Sequence, residues 1–191
     1  MIRILASEFN NYEKLDGKKI TRPMDNANGV VDQIKNSLIN NKKIVFVTSD
    51  MNKPRESVIG YANITFDSMK MVGISFDEYL ILDRESMKNA NKYIDGASLV
   101  FLCGGDTYKQ HEFFEAINLR ELLSNYDGLV IGQSAGALNM ASNVLIVLKN
   151  KKTLSLFFLR DWGLLILILN LILFMILQSL MLMKYIREML F

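Results

Sequence analysis

Short apolar, β-branched runs separated by stretches of helical length restrict the fold of this chain more than any other feature. Lys43 to Thr48 (KIVFVT) stays apolar until its polar end, and Tyr79 to Leu82, Ser98 to Leu102 and Gly128 to Ile131 follow suit. Runs without an alternating polar face belong to strands covered on both sides. Met1 to Ala6 opens the chain with a similar run. Between these runs lie segments long enough for helices, at about Asn26 to Asn40, Arg55 to Val72, Ser86 to Tyr93 and Asp106 to Ser124. The alternation predicts an α/β fold of the flavodoxin-like kind, a mainly parallel sheet with helices on both faces. Ligands of such sheets bind beyond the carboxyl ends of the strands. The chemistry is therefore to be sought after Leu102 and after Ile131.

Composition narrows the chemistry further. The 191 residues carry a net charge of +2, one Cys and one His. A single thiol excludes a disulfide framework, and one Cys with one His argues against a zinc site, so no metal or cofactor is expected. The near-neutral charge gives no electrostatic reason to expect nucleic acid as a partner. The first residues lack a basic leader followed by a long apolar region, so the expected compartment is the cytoplasm.

The average also hides a seam near Lys149 to Thr153. Of the last 38 residues, Leu154 to Phe191, 28 are hydrophobic and 13 are Leu. Gly163 to Met183 carries no charge. Two regions are expected, an α/β domain over 1–148 and an atypical apolar tail over 149–191.

After the run ending at Ile131 comes Gly132-Gln133-Ser134-Ala135-Gly136. This is the G-x-S-x-G pattern of a nucleophile elbow, in which small neighbours permit a sharp strand-to-helix turn that presents the Ser hydroxyl. A helix from Ala135 to about Asn143 would aim its N-terminal amides at the same spot and favour developing negative charge there. The preceding strand runs out into Cys103-Gly104-Gly105-Asp106-Thr107. A Gly pair at a strand end allows close approach of backbone to a ligand, or makes a plain tight turn with Asp106 or Thr107 capping the next helix. Cys103 closes an apolar strand and reads as a small core residue.

GGDTYKQ followed by GQSAGALNM resembles the peptidase E and cyanophycinase family of serine peptidases, which has the class I glutamine amidotransferase-like fold. The similarity extends to about Asn143. It implies that Ser134 is the nucleophile, that the amides of Gly105 and Ala135 hold the oxyanion, and that Gly104 belongs to the same oxyanion and substrate-binding site. Ser rather than Cys at the elbow argues against glutamine amide transfer. The implied partner is a small peptide substrate with an aspartyl carboxylate. Arg55, Lys109 and Arg120 are candidates for its recognition by charge alone, and nothing in the sequence decides the oligomeric state.

One part of the machinery is missing. A Ser hydroxyl needs a base to take its proton, usually a His held by a carboxylate. In the family this His lies downstream of the Ser in a P-H-F sequence. Here the single His is His111, upstream of Ser134, and reads as a surface helical residue. Asp161 and Glu188 are the acids after the seam and lack motif context. Low turnover is therefore expected.

The tail has two readings. Gly163 to Met183, flanked by Arg160 and Lys184, is long enough to cross a bilayer, which takes roughly 20 residues. Asn170, Gln178 and Ser179 weigh against that reading. The preferred alternative is translation out of frame. Synonymous codons for Phe158 to Leu173, read one base upstream, can spell a segment containing the missing P-H-F. An A-rich run encoding Lys149 to Lys152 is a plausible place for a slip.

Overall fold

The computed structural model describes residues 1–141 in full and the backbone of two later strands, 143–150 and 153–160. Met1–Asn139 forms one compact unit and Met140–Phe191 a second.

The first unit is built on five parallel strands: β1 (Ile2–Ala6), β4 (Lys43–Val47), β5 (Glu78–Leu82), β6 (Leu99–Leu102) and β7 (Leu129–Gln133). They lie side by side in the order β1-β7-β6-β4-β5. The chain order reverses between β4 and β6, since β5 is laid on one side of β4 and β6 on the other. That reversal opens a crevice at the carboxyl ends of the two strands.

Burial explains the unbroken apolar runs. Every residue of β6 and β7 is buried, as are Ile44 to Val47 of β4, so both faces of the sheet centre are covered. One face contributes Ile4, Ile44, Phe46, Leu99, Phe101, Leu129 and Ile131 to a core shared with helices α1 (Val30–Ser37) and α2 (Arg55–Met71). Phe101 sits at its centre, with ring centroids 5.3 Å from Phe46 and 5.8 Å from Phe9. The opposite residues, Val45, Val47, Val100, Leu102 and Val130, are wholly buried as well.

Three departures from the sequence reading have local causes. A hairpin of β2 (Tyr12–Leu15) and β3 (Lys18–Thr21) precedes α1, turned by Asp16 and Gly17 at φ of 50° and 75°. Its strands are almost entirely exposed, so no apolar run announces them. The segment 106–124 divides into α4 (Thr107–Ala116) and α5 (Leu119–Leu122), because Asn118 takes a left-handed conformation at φ 50°. Ser86 to Tyr93 begins as a 3₁₀ turn, Met87–Asn89, before α3 (Ala90–Ile94).

The helix after Ser134 is also shorter than expected. Helix α6 spans Ala135–Leu138, and Asn143 opens a strand instead of closing the helix. In the second unit, β8 (Asn143–Asn150) and β9 (Thr153–Arg160) pair antiparallel from Asn143↔Arg160 to Asn150↔Thr153. The compositional seam at Lys149 falls within β8. Gly163 to Met183, Asp161 and Glu188 lie outside the described residues. Among the described residues, no helix is long and apolar enough to cross a membrane.

Candidate active site

Strand β7 delivers Ser134 to the carboxyl edge of the sheet. Gln133 and Ala135 on either side are buried, whereas Ser134 itself is exposed. Its backbone stands at φ 51°, ψ −111°, a conformation that L-residues avoid and that costs about 1–3 kcal/mol unless the surroundings enforce it. The enforcing contacts are visible. The Ser134 N–H donates to the Ala6 carbonyl at 2.8 Å, anchoring the turn to β1. On the far side, the Leu138 and Asn139 N–H groups donate to the Ser134 and Ala135 carbonyls at 3.0 and 2.9 Å. The Ser134 side chain does not cap α6, so its hydroxyl is not committed to the helix.

The glycines around the turn have steric reasons. A Cβ on Gly136 would stand 2.3 Å from the Leu102 carbonyl oxygen, so only glycine lets α6 press onto the end of β6. A Cβ on Gly105 would meet Ser49 Oγ at 2.1 Å. Ser49 follows β4, so the chain after β6 passes close to the end of β4 here. Gly104 faces the elbow, with its Cβ position 3.4 Å from Ser134 Cβ and from the Gln133 carbonyl. The fold thus brings Gly104 beside Ser134. Among the described residues, neither the Gly105 nor the Ala135 N–H donates to a backbone carbonyl.

Helix α4 begins directly after this loop. The Asp106 carboxylate caps it, accepting from the Lys109 N–H at 3.0 Å. Inside, Gln110 donates to the Cys103 carbonyl at 2.6 Å. Asn139 donates to Gln110 Oε1 and to the Thr107 carbonyl, each at 3.0 Å. Both amides are fully buried. This network ties the helix after the glycine loop to the helix after the serine, and sequence reasoning missed it. No local signal marks it, since Gln110 stands between Lys109 and His111 in the sequence. Cys103 is 3% exposed, and burial pushes its thiol up to about 12, so it remains neutral. His111 lies half-buried in the middle of α4.

The cations suggested by sequence are partly engaged. Arg55 pairs with Asp83 and with Glu85, the latter at 3.2 Å. Lys109 pairs with Asp50 at 2.9 Å. Asp50 is pushed up by burial but, on balance, held below the usual carboxylate value by the Lys109 ammonium and the Asn52 N–H. Arg120 lies exposed on α5. A cavity of about 220 Å³ opens beyond β4 and β5, with Asp50, Asn52, Lys53, Arg55, Asp83 and Arg84 in its wall. Lys53 and Arg84 form no ion pair among the described residues. Among the described residues there is no cluster of three or more metal-ligating side chains.

No protein-family model and no curated protein matches the sequence. Solved structures do resemble it. A peptidase from an acI-B1 Actinobacterium aligns with a TM-score of 0.53 at 14% identity, over 84% of this chain and 63% of that one. A candidate peptidase E protein from Listeria monocytogenes EGD-e aligns with a TM-score of 0.49 at 18% identity, over 74% of this chain and 62% of that one. This chain spans less than two thirds of the length of either. What the first of these alignments shows is the fold: the chain shares the parallel α/β architecture of the actinobacterial peptidase.

Proposed function

We propose that the chain is a serine hydrolase of the peptidase E type, directed at small aspartyl peptides and slow in this 191-residue form. The observation that carries this reading is the exposed Ser134 held at φ 51°, ψ −111° between a buried strand and a helix N-terminus. A strained, solvent-facing serine at the carboxyl edge of a parallel sheet has a chemical use and no packing use. Ser134 Oγ attacks the scissile carbonyl. The N–H groups of Gly105 and Ala135 stabilise the oxyanion, a role supported by their lack of backbone acceptors among the described residues. Lys53 and Arg84, cations of the cavity wall without an ion pair among the described residues, would meet a substrate carboxylate, whereas Arg55 and Lys109 are already paired.

The proton on Ser134 has no evident acceptor, because no His follows it in the sequence. A positioned general base contributes typically 10²–10⁴-fold. The test is single-turnover acylation by an activated ester, read by intact mass, with and without added imidazole. Slow labelling that imidazole accelerates and Ser134→Ala abolishes supports the reading. A burst as fast as that of an intact serine hydrolase would overturn the inference of a missing base and make His111 the candidate. Labelling indifferent to Ser134→Ala would overturn the nucleophile. The same absence of a downstream His favours a second reading, a non-catalytic binding protein on this fold, tethered to a membrane if Gly163 to Met183 spans one. That protein would bind aspartyl peptides and show no imidazole-dependent labelling.

A further inference from the structure

The cavity of about 220 Å³ is built from the chain after β4 and the chain after β5, and its two loops are tied together. Arg55, the first residue of α2, pairs with Asp83, and Asp83 Oδ1 accepts from the Glu85 and Ser86 N–H groups at 3.0 and 3.1 Å. The wall carboxylates are answered, Asp83 and Glu85 by Arg55 and Asp50 by Lys109. Lys53 and Arg84 are exposed and have no such partner among the described residues, so the cavity keeps an excess of positive charge. The 17-residue α2 starts between these loops, after Pro54, and no side chain caps its N-terminus. Its first N–H groups add to the attraction for an anion.

Sheet register sets how far this cavity lies from Ser134. Gly132, Leu102, Val47 and Leu82 form one row across β7, β6, β4 and β5. Ser134 and Arg84 each follow that row by two residues, at its opposite ends. Neighbouring strands lie about 4.8 Å apart, so the chain after β4 stands about 10 Å from Ser134 and the chain after β5 about 14 Å. Ser49, against Gly105, and Asp50, paired with Lys109, stand between, so the group that fills the cavity is not the one that adjoins Ser134. A dipeptide keeps its carboxylates within about 7 Å of its scissile carbonyl, at about 3.4 Å per extended residue, and stops short. We infer that the cavity is a remote subsite for a carboxylate three to four residues from the scissile bond, which selects acidic peptides of four or five residues over dipeptides. The inference rests on the serine-peptidase reading and gives its substrate a length.

The test measures binding without turnover, by titration calorimetry on the full chain carrying Ser134→Ala. Aspartyl-alanine is compared with aspartyl-trialanine and its C-terminal amide, which extend the chain on the leaving-group side. Glutamyl-dialanyl-aspartyl-alanine and its glutaminyl counterpart extend it on the other side. The expected result, in one series, is an affinity for the longer carboxylate peptide about tenfold or more above both the dipeptide and the neutral counterpart, the worth of one charge-assisted hydrogen bond. The series that shows it gives the direction in which the peptide lies. The gain should vanish when Lys53→Gln and Arg84→Gln are combined. Both side chains are exposed, so this variant should melt with its parent, and Lys53→Glu alone, which reverses one charge, is the independent arm. Equal affinity for dipeptide and longer peptides, or a gain that survives the loss of both cations, overturns the remote subsite and leaves the peptidase reading standing. Failure of every peptide to bind overturns the two together.

Discussion

The backbone of Ser134 makes a prediction about stability that is separate from any assay of activity. A residue with a Cβ at φ 51°, ψ −111° is strained, and glycine at the same place is not. Ser134→Gly should relieve a strain of about 1–3 kcal/mol, offset by about 0.4–1 kcal/mol for the larger freedom of glycine in the unfolded chain. Ser134→Ala removes the hydroxyl and keeps the strain. Neither change touches the hydrogen bond from the residue 134 N–H to the Ala6 carbonyl, and no side-chain cap is lost, so the pair isolates the backbone term. A net gain of about 1 kcal/mol corresponds to a rise in melting temperature of roughly 3 °C for a chain of this size. Calorimetry or thermal circular dichroism on the two variants in parallel gives the comparison. Equal or lower stability of Ser134→Gly relative to Ser134→Ala would refute the claim that the elbow stores strain for function.

Further outcomes follow from neighbouring features. Gly136→Ala places a methyl group 2.3 Å from the Leu102 carbonyl, over 1 Å short of ordinary contact, and should destabilise by about 3 kcal/mol in denaturant melts. Gly104→Ala meets nothing nearer than 3.4 Å, so it should change stability little. Asp50, pushed up by burial but held down more strongly by Lys109 and the Asn52 N–H, contributes stability above the ordinary carboxylate range. That contribution is lost as pH falls through its lowered native value, so Asp50→Asn should flatten the acid limb of a stability–pH curve. Sequencing of the coding region should show the P-H-F codons in the register one base upstream, around Leu171 and Ile172; reads with those codons absent would dispose of the frameshift.

Much of the sheet was legible because its central strands bury both faces. Residues such as Ile44 to Val47 and Leu99 to Leu102 must be apolar throughout, and that leaves an unmistakable run. The hairpin at Tyr12–Leu15 and Lys18–Thr21 escaped because exposed strands need no apolar face. The sharp turn at Ser134 was legible for a different reason. Gly136 is required by the Leu102 carbonyl, and a demand for the absence of a side chain is met by one residue type alone, so it shows in the sequence. The Gln110–Asn139 network was not legible, since whether an amide is buried and partnered depends on contacts between distant segments. The division of charges was hidden likewise: Arg55 and Lys109 looked equivalent to Arg120 until Asp83 and Asp50 were found beside them.

The pairing of β1 bears on how the protein is made. Within the described sheet its neighbour is β7, in the register Ile2↔Leu129, so β1 leaves the ribosome long before its partner and waits for almost the rest of the unit before it can dock. During that interval Ile2 and Leu5, half exposed even in the finished fold, have no sheet to lie on. The elbow inherits the delay, because the Ser134 N–H is secured by the carbonyl of Ala6. Closure of the turn at Ser134 is thus a late event in biogenesis, and it depends on β1 having stayed out of other pairings until then.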